Sequence, residues 1–566
     1  MSSEKTTGHA IHPPPCLEST AGYLWLAGLG SAVLTWAAFF PIDAGPLGFV
    51  ALVPWLGLAV TAARRRTRYA VAYLTGMLLS ALTTQWVRVA HPMMYLAWLA
   101  FTLVLPLFGL VVLAGVRALL VRGVPLTVAL PLTLVTLDYV RAHFPFGFPF
   151  LEPLGLYQRI GFGWYFLGYS QHAFVPFIQS ADLGGVYLVT ALTAAVNGLL
   201  ADWLWSRGIR RWPLDPAVPL PWPHRRLVGL TLAVGFVMLT NLAYGLYRLQ
   251  HPPFEEGPLV TALQGVIPQD VKNERDESLI RAYRDLHQQA LQQQPPPDLI
   301  VWPETCCPVD YCEIAPGETP PNSFAEYTRL CRRAFERFQP GVPTLLGLNA
   351  LIWQQGRQYK YNSALLVQPG PERFGPRYDK MHLVPFGEYV PFGETLPFLR
   401  RLTPYDYDYV CVPGTNWTRF RFADRYGQVW SFGCLICYED TDPDLARRYV
   451  ATEPVDFLVN ISNDGWFDGT EEHEQHLAIC RFRALETRRS IVRAVNMGIS
   501  AVIDPDGQLV ALPACQWSRS KKVEALVTAS VPIDGRRALY PYLGDWVPAL
   551  TSLSWLLLAV ALPARR

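Results

Sequence analysis

Charge is what this chain has least of. Of its 566 residues only 17% are Asp, Glu, Lys or Arg, while 51% are hydrophobic, and the formal net charge is +2. Soluble domains carry about a quarter charged residues, so this balance argues against an ordinary soluble protein and for membrane spans. It also supplies no basic excess to hold nucleic acid, and no nucleic-acid partner is expected. Cysteine is missing from residues 17–305: Cys16 stands alone near the N-terminus and the other nine follow residue 300. Those nine show no metal-ligand or disulfide framework. Cys434 and Cys437 form a Cys-x-x-Cys, but positions three apart on a strand face opposite sides, which argues against a redox or zinc pair. Whether Cys306, Cys307 and Cys312 cross-link depends on the compartment and stays open at this stage. Residues 1–20 lack the charged-then-apolar run and small-residue cleavage site of a signal peptide, and read as a cytoplasmic tail.

What is abundant is apolar sequence of spanning length. Seven such segments are expected before the long polar region, at about 21–40, 45–63, 69–87, 94–116, 124–142, 183–205 and 227–247, and an eighth at about 545–563. Arginine placement orients them. With the N-terminus inside, thirteen arginines fall on cytoplasmic segments (Arg64, Arg65, Arg66, Arg68, Arg117, Arg122, Arg207, Arg210, Arg211, Arg225, Arg226, Arg565 and Arg566), and three, Arg88, Arg141 and Arg159, on outer loops of the first seven spans. That bias places residues of about 248–544 outside the cytoplasm. Between the fifth and sixth spans, Phe144–Asp182 is rich in aromatics, Gly and Pro, a composition suited to the water–lipid boundary and to a floor under the outer domain.

From Leu259 the pattern changes to short apolar runs alternating with polar helical stretches. Strands are expected at Leu259–Leu263, Leu299–Trp302, Thr344–Leu348, Ser363–Val367, Asp456–Ile461, Ile491–Val495 and Ala501–Ile503. Helices are expected at Glu274–Gln294, Ser323–Phe338 and Glu471–Arg489. Interleaving of this kind indicates a layered α/β domain.

Polar residues gather where the strands end. The run Val429–Ile436 is almost wholly apolar and stops at Cys437, followed by Tyr438, Glu439 and Asp440; Asp442-Pro443 then reads as a helix start. Cys437 is thereby placed in a tight strand-to-helix turn, held from behind and open in front. Leu299–Trp302 closes on Pro303-Glu304, where Pro303 ends the ladder and leaves Glu304 at the rim. Lys380 precedes a loop dense in Pro, Gly and aromatics. Each residue alone has an ordinary explanation as core thiol, strand-end carboxylate or solvated lysine. Together they suffice for acyl transfer: the carboxylate takes the thiol proton, the ammonium favours the thiolate and steadies the oxyanion, and the Tyr438 N–H is a candidate second oxyanion donor. Such chemistry requires neither cofactor nor metal.

In this order, the stretches Gln264–Gln269, Val301–Glu304, Tyr361–Ser363, Tyr378–Tyr389, Ile436–Glu439 and Ser462–Phe467 resemble the nitrilase superfamily, with Gln475-His476 and Arg483–Glu486 continuing the likeness. With seven spans before the domain and one after, nearly the whole chain resembles the apolipoprotein N-acyltransferases, and Gly168–Gln171 matches a weaker signature of that family. The resemblance implies a multi-span helical membrane domain carrying an extracytoplasmic αββα sandwich. It implies Glu304 as base, Lys380, and Cys437 as nucleophile, with Glu388, Tyr438 and Glu439 in support. It further implies a phospholipid acyl donor, a diacylated apolipoprotein acceptor, residence in the inner membrane with the catalytic domain on the periplasmic side, and a monomer. The expected organisation is a tail at 1–20, a membrane domain at 21–247, a catalytic domain at 248–540, and a last span with the C-terminus at 541–566. The apolar side chains of Val384–Leu399 (Phe386, Tyr389, Phe392, Leu396 and Phe398) are suited to acyl chains. The chain departs from the family pattern at Lys272-Asn273 and Glu474, which bears on substrate contacts rather than on the three reacting residues. Two other readings compete. A tethered amidase or hydrolase that uses water as acceptor would not need eight spans. A transporter or receptor would be expected to show internal repeats and more midplane charge than Asp138.

Overall fold

The computed structural model describes residues 17–564, apart from 155–156, 209–211, 270–276, 371–372, 392, 394–396 and 403–409. Within the N-terminal half, helices run over Leu17–Ala37, Arg65–Thr83, Met94–Leu120, Leu126–His143, Ala181–Trp203 and His224–Leu249, and Trp546–Ala561 returns at the C-terminus. Among the described residues, Met94–Leu120, Ala181–Arg207 and His224–Leu249 are long and apolar enough to cross a bilayer. The expected span at 45–63 takes a different form. A 3-10 turn, Gly45–Phe49, precedes a helix, Val53–Val60, of 8 residues. The two pieces together make one apolar stretch, Gly45–Val60, broken instead of continuous. Pro46 and Pro54 account for the division, since each sits at the start of its own helical piece, where its missing N–H costs nothing. Asn197 closes the gap, accepting from the Leu52 N–H and donating to the Gly48 carbonyl.

The polar half folds into two stacked sheets. The first contains β1 (Glu255–Gln264), β2 (Leu299–Val301), β3 (Tyr311–Ile314), β4 (Thr344–Gln354), β5 (Arg357–Val367), β6 (Phe374–Asp379) and β13 (Ala525–Ile533), in the order β13-β1-β2-β4-β5-β6 with β3 also on β4. The second runs β12-β11-β10-β9-β8-β7, from β7 (Arg419–Ala423), β8 (Val429–Ile436), β9 (Phe457–Asn463), β10 (Ile491–Asn496), β11 (Ala501–Ile503) and β12 (Leu509–Ala511). Val260, Val301 and Leu366 of the first sheet share one core with Phe432, Leu435 and Ile461 of the second. Helices Glu277–Leu291 and Asn322–Arg337 accompany the first sheet, while Pro443–Ala451 and Glu472–Thr487 accompany the second. The architecture is the expected nitrilase-like sandwich of helix, sheet, sheet and helix. Most expected strands lie within those observed. The hairpin β4–β5 is about twice as long as its apolar runs, because its outer half is polar, as in Arg357–Lys360. The expected helix at Glu274–Gln294 is described as Glu277–Leu291, its first residues lying outside the described ones.

The sandwich rests on the membrane half through the Glu472–Thr487 helix, every residue of which is buried. One side faces β10, the other the helix Ala181–Trp203. That membrane helix is broken at Gly184-Gly185, where Gly185 has φ +67°. A side chain at Gly185 would crowd the Tyr540 ring and Glu486, and the break frees the Val186 N–H to donate to Glu486 at 2.8 Å. Phe144–Asp182 runs along the same junction, as its aromatic content implied. Trp164 donates to Gln475, Arg159 pairs with Asp442 and Asp444 at 2.8 and 2.9 Å, and the Tyr438 hydroxyl donates to the Gly161 carbonyl.

Candidate active site

Glu304, Lys380 and Cys437 each follow the last residue of a strand or lie within three residues of it: β2, β6 and β8 respectively. The strands belong to both sheets, so the site lies where the carboxyl ends of their strands meet. Lys380 is 1% exposed, and its Nζ lies 3.2 Å from Glu304 Oε1 and 2.9 Å from Glu388 Oε2. Asn362 Nδ2 donates to both carboxylates, at 2.7 Å to Glu304 and 2.8 Å to Glu388. The second Glu304 oxygen accepts the Asn463 N–H from the end of β9 at 2.9 Å, and Glu388 accepts the Val384 N–H at 2.8 Å. Two carboxylates thus share one ammonium and a fan of neutral donors. Burial disfavours the Lys380 ammonium, but Glu304 and then Glu388 outweigh it and hold the lysine well above its usual range.

Cys437 begins a 3-10 turn with φ +52°. A non-glycine residue rarely adopts this left-handed conformation, so the surrounding fold must impose it. Glu439 supplies the constraint. Its carboxylate accepts from the N–H groups of Met381 (2.6 Å), His382 (3.1 Å) and Ile436 (2.7 Å) and from the Tyr378 hydroxyl. One buried side chain therefore clips the residues after Lys380 to the residue before Cys437. Burial pushes the Glu439 carboxyl up to about 7, against the pull of those N–H donors. Burial, with Glu304 adding, likewise pushes the Cys437 thiol up to about 12, while Lys380 and His476 draw it down. A thiol raised in this way reacts as a nucleophile only where a base takes its proton.

All six residues singled out in the sequence fall in or beside this cluster. Glu304, Lys380 and Glu388 are in direct contact, and Glu439 braces the loop and the turn. The Tyr438 side chain turns toward the membrane half: its ring stacks on Trp164 at 6.4 Å and meets His382 edge-on at 5.2 Å. The sequence assigns no role to Asn362 or to the Asn463 N–H; their only signal is that they fall in the stretches Tyr361–Ser363 and Ser462–Phe467 that carry the resemblance. Beside the cluster, a cavity of about 330 Å³ is lined by Met381, Leu383, Tyr389 and Trp417 on the sandwich side and by Tyr157 and Arg159 on the membrane side. Phe398 is exposed, whereas Phe392 and Leu396, like Lys272 and Asn273, lie outside the described residues.

The fold and the site define a nitrilase-like acyl-transfer enzyme built onto membrane helices. The family described as Carbon-nitrogen hydrolase matches residues 259–539, and that described as Apolipoprotein N-acyltransferase N-terminal domain matches residues 31–199. Among solved structures, a carbon-nitrogen hydrolase from Helicobacter pylori G27 aligns at 17% identity over 53% of this chain and 94% of its own, with a TM-score of 0.33. Two curated relatives span nearly the whole chain. The apolipoprotein N-acyltransferase of Geobacter metallireducens is 31% identical over 534 residues, covering 92% of each chain. That of Caulobacter vibrioides is 28% identical over 540 residues, covering 92% of this chain and 90% of its own. The chain belongs to the apolipoprotein N-acyltransferase family.

The raised thiol has a direct consequence for Cys437. An ordinary thiol titrates near 9, so its alkylation by iodoacetamide levels off above that pH; Cys437, near 12, continues to gain rate. Lys380→Met removes a cation that draws the thiol down, and slows the reaction further at any pH below that value. Peptide mass spectrometry of Cys437 over pH about 7–10 checks both, and a plateau near 9 in the wild type would contradict the assignment.

Proposed function

We propose that this enzyme transfers an acyl chain from a phospholipid, through a thioester on Cys437, to the N-terminal amine of a diacylglyceryl-cysteine apolipoprotein. Cys437 Sγ attacks the ester carbonyl as Glu304 takes the thiol proton. Lys380 Nζ, with the Tyr438 N–H, stabilises the oxyanion. Collapse breaks the ester C–O bond, and the proton on Glu304 passes to the departing lysophospholipid oxygen. In the second half the acceptor amine attacks the thioester, Glu304 takes an amine proton, and the thiolate that leaves is reprotonated as the amide forms. Glu388 keeps Lys380 in place through both halves, and Glu439 holds the turn.

The observation that carries this reading is the arrangement of Glu304, Lys380 and Glu388 at the strand ends, on a sandwich packed against apolar helices. A site facing the bilayer suits two lipid-anchored substrates, and the cavity beside Met381 and Leu383 suits the donor. The arginine bias supports a cytoplasmic tail at 1–20, a membrane domain at 21–247, a catalytic domain at 248–540 on the periplasmic side of the inner membrane, and a final span within 541–566. A monomer carries every residue invoked. The test is intact-mass analysis after incubation with a phospholipid of known acyl chain, comparing wild type with Cys437→Ala. A mass gain of one acyl group, removed by hydroxylamine and absent from the variant, is expected. No gain in the wild type overturns the thioester, and lysophospholipid without acylated acceptor favours a hydrolase.

Gly347 tests how finely Glu304 must sit. A Cβ there would overlap the Pro303 carbonyl oxygen and press on Glu304 Cα, both backbone atoms that cannot swing away. Gly347→Ala is expected to slow thioester formation by about tenfold or more, since sub-ångström displacement of a reacting group is costly. Lysophospholipid release checks it, and an unchanged rate shows that Glu304 tolerates the shift.

A further inference from the structure

Beneath the catalytic turn lies a second buried cluster that the proposed chemistry does not use. The Asp440, Asp464, Glu472 and His476 side chains are all within 2% of full burial, with Arg493 as the cation paired to both aspartates, at 3.1 Å each. His476 Nε2 lies 2.9 Å from Asp440 Oδ1. Its other nitrogen, Nδ1, lies 3.3 Å from Asp464 Oδ1 and 3.3 Å from Glu472 Oε1, yet makes a hydrogen bond to neither. Glu472 Oε2 is likewise a buried oxygen without a hydrogen bond.

With Nε2–H donating to Asp440, Nδ1 faces two carboxylate oxygens, a position that either a proton or a metal cation can fill. Three carboxylates surround one guanidinium and two imidazoles, His476 and His473, the latter with Nδ1 3.7 Å from Asp464 and 3.8 Å from Glu472. One ligand atom from each of Asp464, Glu472 and His476 lies within 4.8 Å of the others. The 3.3 Å separations match the edge of a tetrahedron with bonds of about 2.0–2.1 Å. A histidine that binds metal through one nitrogen while its other N–H is held by a carboxylate is the usual arrangement around such ions.

We propose that Asp464, Glu472 and His476 form a structural binding site for one divalent metal ion of the zinc type. Imidazole nitrogen with two carboxylate oxygens suits Zn²⁺ better than the all-oxygen cations Ca²⁺ and Mg²⁺. The ion takes no part in acyl transfer. It ties the Glu472–Thr487 helix to the loop after β9 and, through His476 and Asp440, to the turn that begins at Cys437.

The test is metal analysis by plasma mass spectrometry on the full-length, tag-free protein, purified in detergent without chelator from zinc-supplemented cells. About one zinc per chain is expected, and Glu472→Gln, which keeps the side-chain shape, should lower it by about tenfold or more. Cobalt substitution should give the visible spectrum of a tetrahedral site in the wild type and not in the variant. Wild-type protein without stoichiometric zinc overturns the site, whether or not the variant folds. Zinc retained in full by Glu472→Gln overturns the ligand assignment. Either failure leaves the Cys437 thioester untouched, since that is read by acyl mass.

Discussion

Glu304→Gln is expected to cut formation of the Cys437 thioester by on the order of 10³-fold, about 4 kcal/mol of barrier. The replacement keeps the side-chain length and one oxygen for the Asn463 N–H, so the turn should hold. What it removes is the carboxylate proposed to take the thiol proton, and burial pushes that thiol up to about 12. It also takes away the larger of two anionic partners of Lys380, leaving Glu388 at 2.9 Å. Binding of the phospholipid should change little, because the donor does not need the carboxylate until attack begins, so the loss should appear in kcat. Single-turnover release of lysophospholipid measures it. A rate within threefold or so of wild type would mean that another base serves Cys437. Glu388→Gln gives the contrast: it disturbs the position of Lys380 and leaves the base intact, so a smaller loss is expected.

Glu304 and Cys437 were legible because each sits at or just past the end of an apolar run; Lys380 follows β6, which has no such run, and stood out only by the loop after it and by the resemblance. Trp302-Pro303-Glu304 and Ile436-Cys437-Tyr438 mark points where a buried strand stops and polar side chains begin, and a sheet edge is where such residues meet. The roles of their supports were not legible. Glu439 reads in sequence as one more acidic residue after the nucleophile; only the fold brings the Met381 and His382 N–H groups to it from another sheet. Asn362 bridges two carboxylates that lie 58 and 26 positions away in sequence. The strands β3, β6, β7, β12 and β13 were also missed. Most are short, and their burial alternates or is partial, as in Phe374–Asp379 and Leu509–Ala511, so no continuous apolar run announces them. The segment 45–63 has the composition of a span, but Pro46 and Pro54 divide it into a 3-10 turn and a helix instead of one continuous helix.

Arg488→Ala should cost the most stability of any single change at the junction, about 3–5 kcal/mol. Arg488 is fully buried and takes the left-handed conformation, φ +50°, where the Glu472–Thr487 helix ends. Its guanidinium donates twice to Asp182 (3.0 and 2.7 Å), to Gln179 Oε1 (2.7 Å) and to Asp506 (2.6 Å), and reaches the Gln179 and Pro505 carbonyls at 3.2 Å. Asp182 and Gln179 belong to the membrane half and Asp506 to the sandwich, so one side chain joins the two. Removal leaves Asp182 with Arg248 at 2.9 Å and Asp506 with Arg536 at 2.8 Å. That limits the uncompensated charge and argues for the lower part of the range. Arg488→Lys keeps the charge but loses the planar fork, and should fall between wild type and alanine. The exposed pair Arg332–Glu336, 3.8 Å apart, is the control: Arg332→Ala should change stability by less than about 0.5 kcal/mol. The readout is thermal unfolding in detergent together with the half-life of acyl-transfer activity on warming. If Arg488→Ala unfolds within a degree or so of the Arg332 variant, the junction does not depend on this arginine, and packing of Phe482 and Leu485 against the membrane helices carries it instead.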